Sequence, residues 1–262
     1  MPATASSQPV GRALTSSPDP LRIDGLVKRF GRRTVVGGLD LVVAHGEIVG
    51  LVGPNGCGKT TTLCVVTGLL HHDGGEVSVA GEPVGSIEAR RKVAFIPDVP
   101  GGFDELTVVE HVRLVAALHR CGPEGDAAGD AMIERFGLGP RRHERLGMLS
   151  LGLRRRVAVA AALALPAALF LVDEATAALD PKTVAALSHV LRERAADGAG
   201  VLLATQDHGF VRATCERVVA LDDGHVVATG SPREVTACVQ ETLLAQVRRR
   251  GGDGADRAFA TR

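Results

Sequence analysis

Tryptophan and tyrosine are absent from this 262-residue sequence, and phenylalanine occurs only 7 times. Aromatic platforms for stacking bases, or an aromatic belt at a membrane interface, are therefore not expected. Net charge is lacking too, since 30 Lys and Arg balance 30 Asp and Glu. No overall field favours nucleic acid or an anionic membrane, and no nucleic-acid partner is expected. Lysine is scarce beside arginine, which reads as genome composition rather than function. Cysteine offers no framework: Cys57, Cys64, Cys121, Cys215 and Cys238 are scattered, odd in number and form no C-x-x-C pair. That suits a reducing cytoplasm, without a metal site or a disulfide frame. Long apolar runs are missing as well. Val157 to Val172 is interrupted by Pro166 and Ile48 to Val52 is too short, so neither spans a bilayer. Met1 to Pro20 is rich in Ser, Pro, Ala and Thr without an apolar core. It reads as a flexible leader, neither signal peptide nor anchor. A role at a membrane would require docking to another polypeptide.

What is present is enough hydrophobic residue, 45%, to fill the core of one large α/β domain, alone or with a small lobe. Strands are expected at Leu21 to Val27, Leu39 to Val43 and Glu47 to Gly53. Helical spacing then runs from Gly58 to Leu70, and short strands follow at Glu76 to Ala80 and Val93 to Pro97. The texture changes over about 102–148. Thr107 to Arg120, Ala127 to Phe136 and Arg141 to Met148 are helical in style and read as a small lobe inserted into the core. A helix from Ser150 to Leu165, a strand at Leu169 to Val172, a helix from Pro181 to Ala196 and a strand at Val201 to Thr205 come next. Arg217 to Leu221 and His225 to Thr229 predict a hairpin across Asp223-Gly224. Pro232 to Arg250 reads as helical and Gly251 to Arg262 as a loose tail. The expected organisation is a leader over 1–20, one domain over 21–240, and a helix end and tail over 241–262.

Gly53-Pro54-Asn55-Gly56-Cys57-Gly58-Lys59-Thr60-Thr61 fits the phosphate-binding pattern G-x-x-x-x-G-K-[ST] between a strand and a helix. Glycines let the backbone wrap an anion with several N–H groups turned inward, and the following helix adds its positive N-terminal end. Lys59 would reach the β- and γ-phosphates, and the Thr60 hydroxyl would reach Mg²⁺. Farther on, the apolar run Ala168 to Val172 ends in Asp173-Glu174. An aspartate at such a strand end holds Mg²⁺ in P-loop enzymes, and Glu174 is placed to polarise an attacking water as general base. The alternative is that one of the two acids caps the next helix.

Leu149-Ser150-Leu151-Gly152-Leu153-Arg154-Arg155-Arg156, followed by an apolar helix and then Asp173-Glu174, resembles the signature region of the ABC (ATP-binding cassette) family. Ser150 and Gly152 match the family pattern L-S-G-G-Q, whereas Leu151 and Leu153 depart from it. Ala178-Leu179-Asp180 is similar to the family's D-loop. Phe30 stands where the family places an aromatic that stacks on adenine. The resemblance covers about residues 21–240. It implies a P-loop NTPase core, mostly parallel, with flanking helices, an antiparallel β element and the inserted lobe. It also implies ATP and Mg²⁺, held by Thr60, Asp98 and Asp173, between two cassettes paired head to tail. The P-loop of one faces Ser150 and Gly152 of the other, in a homodimer or with a different cassette. Closure and hydrolysis would drive a separate transmembrane permease, on the inner face of the cell membrane. The arginines at 154–156 read as a solvated helix face.

Two positions break the family's catalytic pattern. Asp98 stands in place of a glutamine that senses Mg²⁺, and Gln206 in place of a histidine that contacts the γ-phosphate. His208, two residues on, would point elsewhere if the segment enters a helix. With the leucines at 151 and 153, these departures imply tight ATP binding with slow hydrolysis. Asp104 to His111 resembles bacterial export cassettes, so an exporter is the leading expectation. A non-catalytic regulatory cassette and a soluble ABC ATPase acting on ribosomes or DNA are the alternatives.

Overall fold

The computed structural model describes residues 17–235. Of the expected leader only 17–20 fall inside that range. Cys238, residues 236–250 of the expected C-terminal helix and the tail beyond lie outside it.

The strands, in chain order, are β1 (Leu21–Phe30), β2 (Arg33–Val43), β3 (Ile48–Val52), β4 (Gly74–Val79), β5 (Glu82–Pro83), β6 (Val93–Ile96), β7 (Leu169–Asp173), β8 (Gly200–Ala204), β9 (Arg217–Asp222) and β10 (His225–Gly230). The helices are α1 (Lys59–Val66), α2 (Ile87–Arg91), α3 (Val108–Leu118), α4 (Gly122–Arg135), α5 (Leu151–Leu163), α6 (Pro181–Ala196) and α7 (His208–Thr214). Residues 232–235 are also helical. They open with a Ser231–Glu234 capping box, the Glu234 amide donating to Ser231 Oγ and the Ser231 amide to Glu234 Oε2.

Two sheets form. An antiparallel one has the order β2-β1-β4-β5, and a six-stranded one has the order β10-β9-β3-β8-β7-β6. In the second, β9, β3, β8, β7 and β6 are parallel, and β10 returns antiparallel to β9. All five residues of β3, β7 and β8 are buried, as the continuous apolar runs of a sheet covered on both faces require. The period-2 alternation of strand side chains then sorts the core into two. Phe170, Val172, Val201 and Leu203 face the helices, while Leu169, Leu171 and Leu202 face Leu21, Leu26 and Leu39 of the antiparallel sheet.

The stretch 102–148 carries α3 and α4, as the helical spacing suggests, but with different limits. Thr107 and Glu110 form a capping box at the start of α3. α4 starts at Gly122, earlier than Ala127, because Pro123 suits a first helical turn. Gly129 of α4 lets Val112 approach so closely that a Cβ there would lie 2.7 Å from Val112 Cγ1. In place of a helix over Arg141 to Met148 there are two 3₁₀ turns, Gly139–Arg141 and Leu146–Met148. Arg145 between them bridges to Thr107 in antiparallel fashion. The Gly and Pro content of this stretch favours such short turns over a continued helix. β2 likewise starts well before Leu39. Gly37 and Gly38 do not end the strand, since Gly37 makes room for the His225 ring, which a Cβ would approach to 2.5 Å.

The expected hairpin turn is present, with Asp223 at φ 45° and Gly224 at φ 80°, as a type I′ turn needs. It is wedged against the loop after β3. Gly224 N donates to Cys57 O at 3.1 Å, and Gly37 N donates to Gly224 O at 2.9 Å. A Cβ on Gly224 would sit 2.5 Å from Val35 O. Gly224→Ala is therefore expected to lower the unfolding free energy by about 1–3 kcal/mol. Urea denaturation measures this, and an unchanged midpoint would contradict the wedge.

Candidate nucleotide-binding site

The loop between β3 and α1 is shaped by its glycines. Gly53 has φ 151°, and a Cβ there would lie 2.2 Å from Leu221 O; Gly58 has φ 111°, with Val35 O at 2.8 Å. No other residue fits either place without moving backbone. The turn delivers Lys59 into the loop's curve, where its buried ammonium donates to Gly53 O at 2.7 Å and Pro54 O at 3.1 Å. From the next position the Thr60 hydroxyl donates to Asp173 Oδ1 at 3.2 Å. The expected hydroxyl and carboxylate thus meet although 113 residues separate them.

Asp173 is 1% exposed. Burial pushes its carboxyl pKa up; the Thr60 hydrogen bond opposes this, the charges of Asp98 and Glu174 add to it, and Lys59 offsets part. An all-oxygen set with a carboxylate short of positive charge fits Mg²⁺. Among the described residues no group of three or more His, Cys, Asp or Glu forms a metal cluster. An ion here would rely on Thr60, Asp173 and phosphate oxygens, which is the habit of Mg²⁺.

Glu174 has a left-handed backbone, φ 43°. Its carboxylate is held from β8: Thr205 Oγ1 donates to Oε2 at 2.9 Å and Gln206 N at 3.2 Å, while Gln206 Nε2 donates to Oε1 at 3.3 Å. Gln206 Nε2 also donates to Asn55 Oδ1 at 2.7 Å. One amide therefore spans the phosphate loop and the candidate base. Asp207 caps α7, accepting from Phe210 N at 2.9 Å. His208 is then the first helical residue and does not line the cavity.

That cavity, about 310 Å³, is lined by Asn55, Gly56, Gly58, Lys59, Thr60 and Thr61, joined by Phe30, Arg33, Val35, Asp98 and Glu174. Larger grooves elsewhere carry none of these groups. Phe30 is half exposed, and Lys28 Nζ lies 5.3 Å from its ring centroid. Ser150 and Gly152 do not line the cavity. Ser150 caps α5, its Oγ accepting from Leu153 N at 3.4 Å, and Gly152 packs beside Ala178 O.

The arginines at 154–156 correct the sequence expectation. Arg155 is only 5% exposed; it donates through Nη1 to Glu174 O at 2.8 Å and through Nη2 to Asp98 O and, at 3.1 Å, Asp98 Oδ1. Arg154 pairs with Asp104 at 2.9 Å and Arg156 with Asp180 at 2.5 Å. Consecutive helical side chains point about 100° apart, so three in a row cannot all face water on a packed helix. Asp180 is held down to about 2 by the Thr183 hydroxyl and amide, with Arg156 adding to this. Thr205, Arg33 and Arg155 are site residues that the sequence reading misses. A hydroxyl at a strand end was the one available signal, for Thr205.

The family described as ABC transporter matches residues 36–177. A lipopolysaccharide export system ATP-binding protein, LptB, of Acidithiobacillus ferridurans is 33% identical over 232 residues, covering 87% of this chain and 95% of that one. The SkfA peptide export ATP-binding protein SkfE of Bacillus subtilis is 34% identical, covering 79% and 87%. A solved ATP-binding subunit of an ABC transporter superposes with a TM-score of 0.77 at 30% identity, over 88% of this chain and 93% of that one. A dimeric ATP-binding cassette in a post-hydrolysis state with ADP and Pi gives 0.73 at 27%, over 81% and 98%. Lys59→Ala is expected to weaken ATP binding at least about tenfold with the circular dichroism spectrum intact. Calorimetric titration giving an unchanged Kd would remove Lys59 from the site.

Proposed function

The chain belongs to the ABC transporter family of ATP-binding, ATP-hydrolysing cassettes, and from that premise we propose that it powers an exporter through a separate membrane-spanning permease. The observation that carries the reading is the convergence of the phosphate loop, the Thr60–Asp173 bond and the Glu174 carboxylate on one cavity. In this reading Lys59 and the loop amides hold the phosphates, Phe30 stacks on the base, and Glu174 orients the attacking water. When bound, Mg²⁺, held by Thr60 and Asp173 with Asp98 nearby, neutralises phosphate charge. Ser150 and Gly152, outside the cavity of their own chain, complete the site of a second cassette. The pair is built from two identical or two different cassettes.

Export is supported by the relatives, whose names specify export of lipopolysaccharide, a peptide or Nod factor. For the permease, a groove of about 380 Å³ lies between α5, β6 and α3, lined by Phe95, Pro97, Val115 and His119 among others. It lies beside the Asp98 segment, and exposed Leu69, Val99, Phe103 and Leu118 supply apolar surface in its neighbourhood. Among the described residues no helix is long and apolar enough to cross a membrane, so docking there would hold the chain at the inner face. With ATP present, Glu174→Gln chain recovered from detergent-solubilised membranes is expected to carry a second cassette and one multi-spanning polypeptide. Recovery with ribosomes, or as a lone monomer, would contradict the reading.

Slow hydrolysis is part of the proposal. The Gln206 amide is neutral and already engaged with Asn55 and Glu174. A neutral hydrogen bond is worth about 0.5–1.5 kcal/mol net, against about 1.5–3 for one to a charged group, and about 1.4 kcal/mol is tenfold in rate. The same residue favours a second reading, an ATP-gated cassette with little turnover of its own. Gln206→His is expected to raise kcat by about five- to tenfold in a phosphate-release assay. Ordinary turnover unchanged by the substitution would remove the claim of slow hydrolysis.

A further inference from the structure

We propose that Arg155 is a positioning residue for ATP hydrolysis: one guanidinium clamps the Glu174 peptide and neutralises Asp98, the acid that stands where the family has an uncharged amide. The inference rests on the reading of this cavity as the hydrolytic site.

Arg155 lies in the second turn of α5, and its side chain is 6% exposed. A buried guanidinium needs a counter-charge, and Asp98 supplies it at 3.1 Å from Nη2. The same nitrogen donates to Asp98 O, and Nη1 donates to Glu174 O at 2.8 Å. Nε, though buried, has no partner. Every bond this arginine makes is thus directed at the ends of β6 and β7, and none at its own helix. Both targets line the cavity.

Each contact has a physical consequence. Glu174 is a non-glycine residue at positive φ, a backbone that persists only when its surroundings hold it. Its tethers act on three sides: Glu174 N donates to Ala204 O at 2.9 Å, Thr205 Oγ1 and the Gln206 amides donate to the carboxylate, and the carbonyl accepts from Arg155 Nη1 at 2.8 Å and from Ala177 N at 3.3 Å. Without Arg155 the carbonyl keeps only the longer Ala177 bond, and the peptide that aims the carboxylate is held less firmly. Asp98 in turn is half exposed on the cavity wall. A free carboxylate there would repel triphosphate, whereas one paired from beneath with a cation presents little net charge. The arginine and the acid therefore form a unit: each is tolerable in this place because of the other.

The test uses the full chain and three variants, Arg155→Gln, Asp98→Gln and the double substitution. Steady-state ATPase kinetics are combined with hydrogen exchange on nucleotide-free protein. Arg155→Gln is expected to lower kcat about tenfold or more with KM for ATP within about threefold. Its amide exchange should quicken over 97–101 and 174–178 while the rest of α5 stays protected. The double variant is expected to regain only part of the lost kcat, about threefold or more above Arg155→Gln, since an uncharged amide in place of Asp98 needs no cation while the Glu174 carbonyl stays unclamped. The proposal is overturned if Arg155→Gln keeps kcat within about twofold, or if the double variant falls by the product of the single effects. Loosening throughout α5 and the α3–α4 pair would overturn it too, by making Arg155 a packing residue. If the unsubstituted chain binds ATP without measurable turnover, the exchange pattern decides. If it binds no ATP, the functional reading fails, while the exchange pattern still judges the clamp.

Discussion

Asp173 is a carboxylate buried to 1% exposure at the end of a parallel strand, with one threonine hydroxyl as its direct donor. That constraint organises what surrounds it. An acid so placed draws positive charge, and the loop after β3 brings Lys59 near it. The sheet order β3-β8-β7-β6 sets the carboxyl ends of four parallel strands side by side. β3 leads into the phosphate loop, β8 into Thr205 and Gln206, β7 into Asp173 and Glu174, and β6 into the Asp98 segment. Each strand contributes one piece of the cavity at the edge where open α/β sheets bind ligands. The positive end of α1 points the same way.

Legibility in the sequence followed distance along the chain. The phosphate loop could be read because its chemistry is contiguous: glycines, lysine and threonine within nine residues between a strand and a helix. Asp173 and Glu174 could be read because an apolar strand ending in two acids is locally odd. The hairpin at Asp223-Gly224 could be read because its turn dictates residue types. What stayed hidden depended on partners far away. Nothing near Gly37 says that its missing side chain makes room for His225, so β2 was expected to start late. Nothing near Arg155 says that Asp98 waits for it 57 residues earlier; a run of arginines on a helix ordinarily faces water. Element limits in the α3–α4 region slipped for a plainer reason. Glycine and proline there serve as helix starts and 3₁₀ turns, and the hydrophobic period does not distinguish the two.

The hydrogen bonds around Glu174 give the departures at 98 and 206 a shared logic. A histidine that carried charge would compete for the carboxylate, whereas the Gln206 amide joins it to Asn55 without changing the charge balance of the cavity. Asp98 adds to the rise that burial imposes on the Asp173 pKa, and Arg155 balances its charge from beneath. The two departures thus leave the wall near charge balance: a neutral amide at 206, and an acid at 98 answered by Arg155.

α5 connects these pieces. Its N-terminal cap is Ser150, and its three consecutive arginines reach acids on two segments: Asp98 and Asp104 on the connection from β6 to α3, and Asp180 at the start of α6. The outer two pairs are partly solvated, and screening by water leaves such pairs little net worth by themselves. The inner one is a different case, because removing either partner would leave a buried guanidinium or an unbalanced acid beside phosphate. Through the inner pair and the Glu174 carbonyl, α5 cannot rotate or slide without disturbing the ends of both β6 and β7. The sequence run that looked most like solvent-facing charge thus joins the buried Val157, Val159, Ala160 and Leu163 in holding α5 in register with the strand ends.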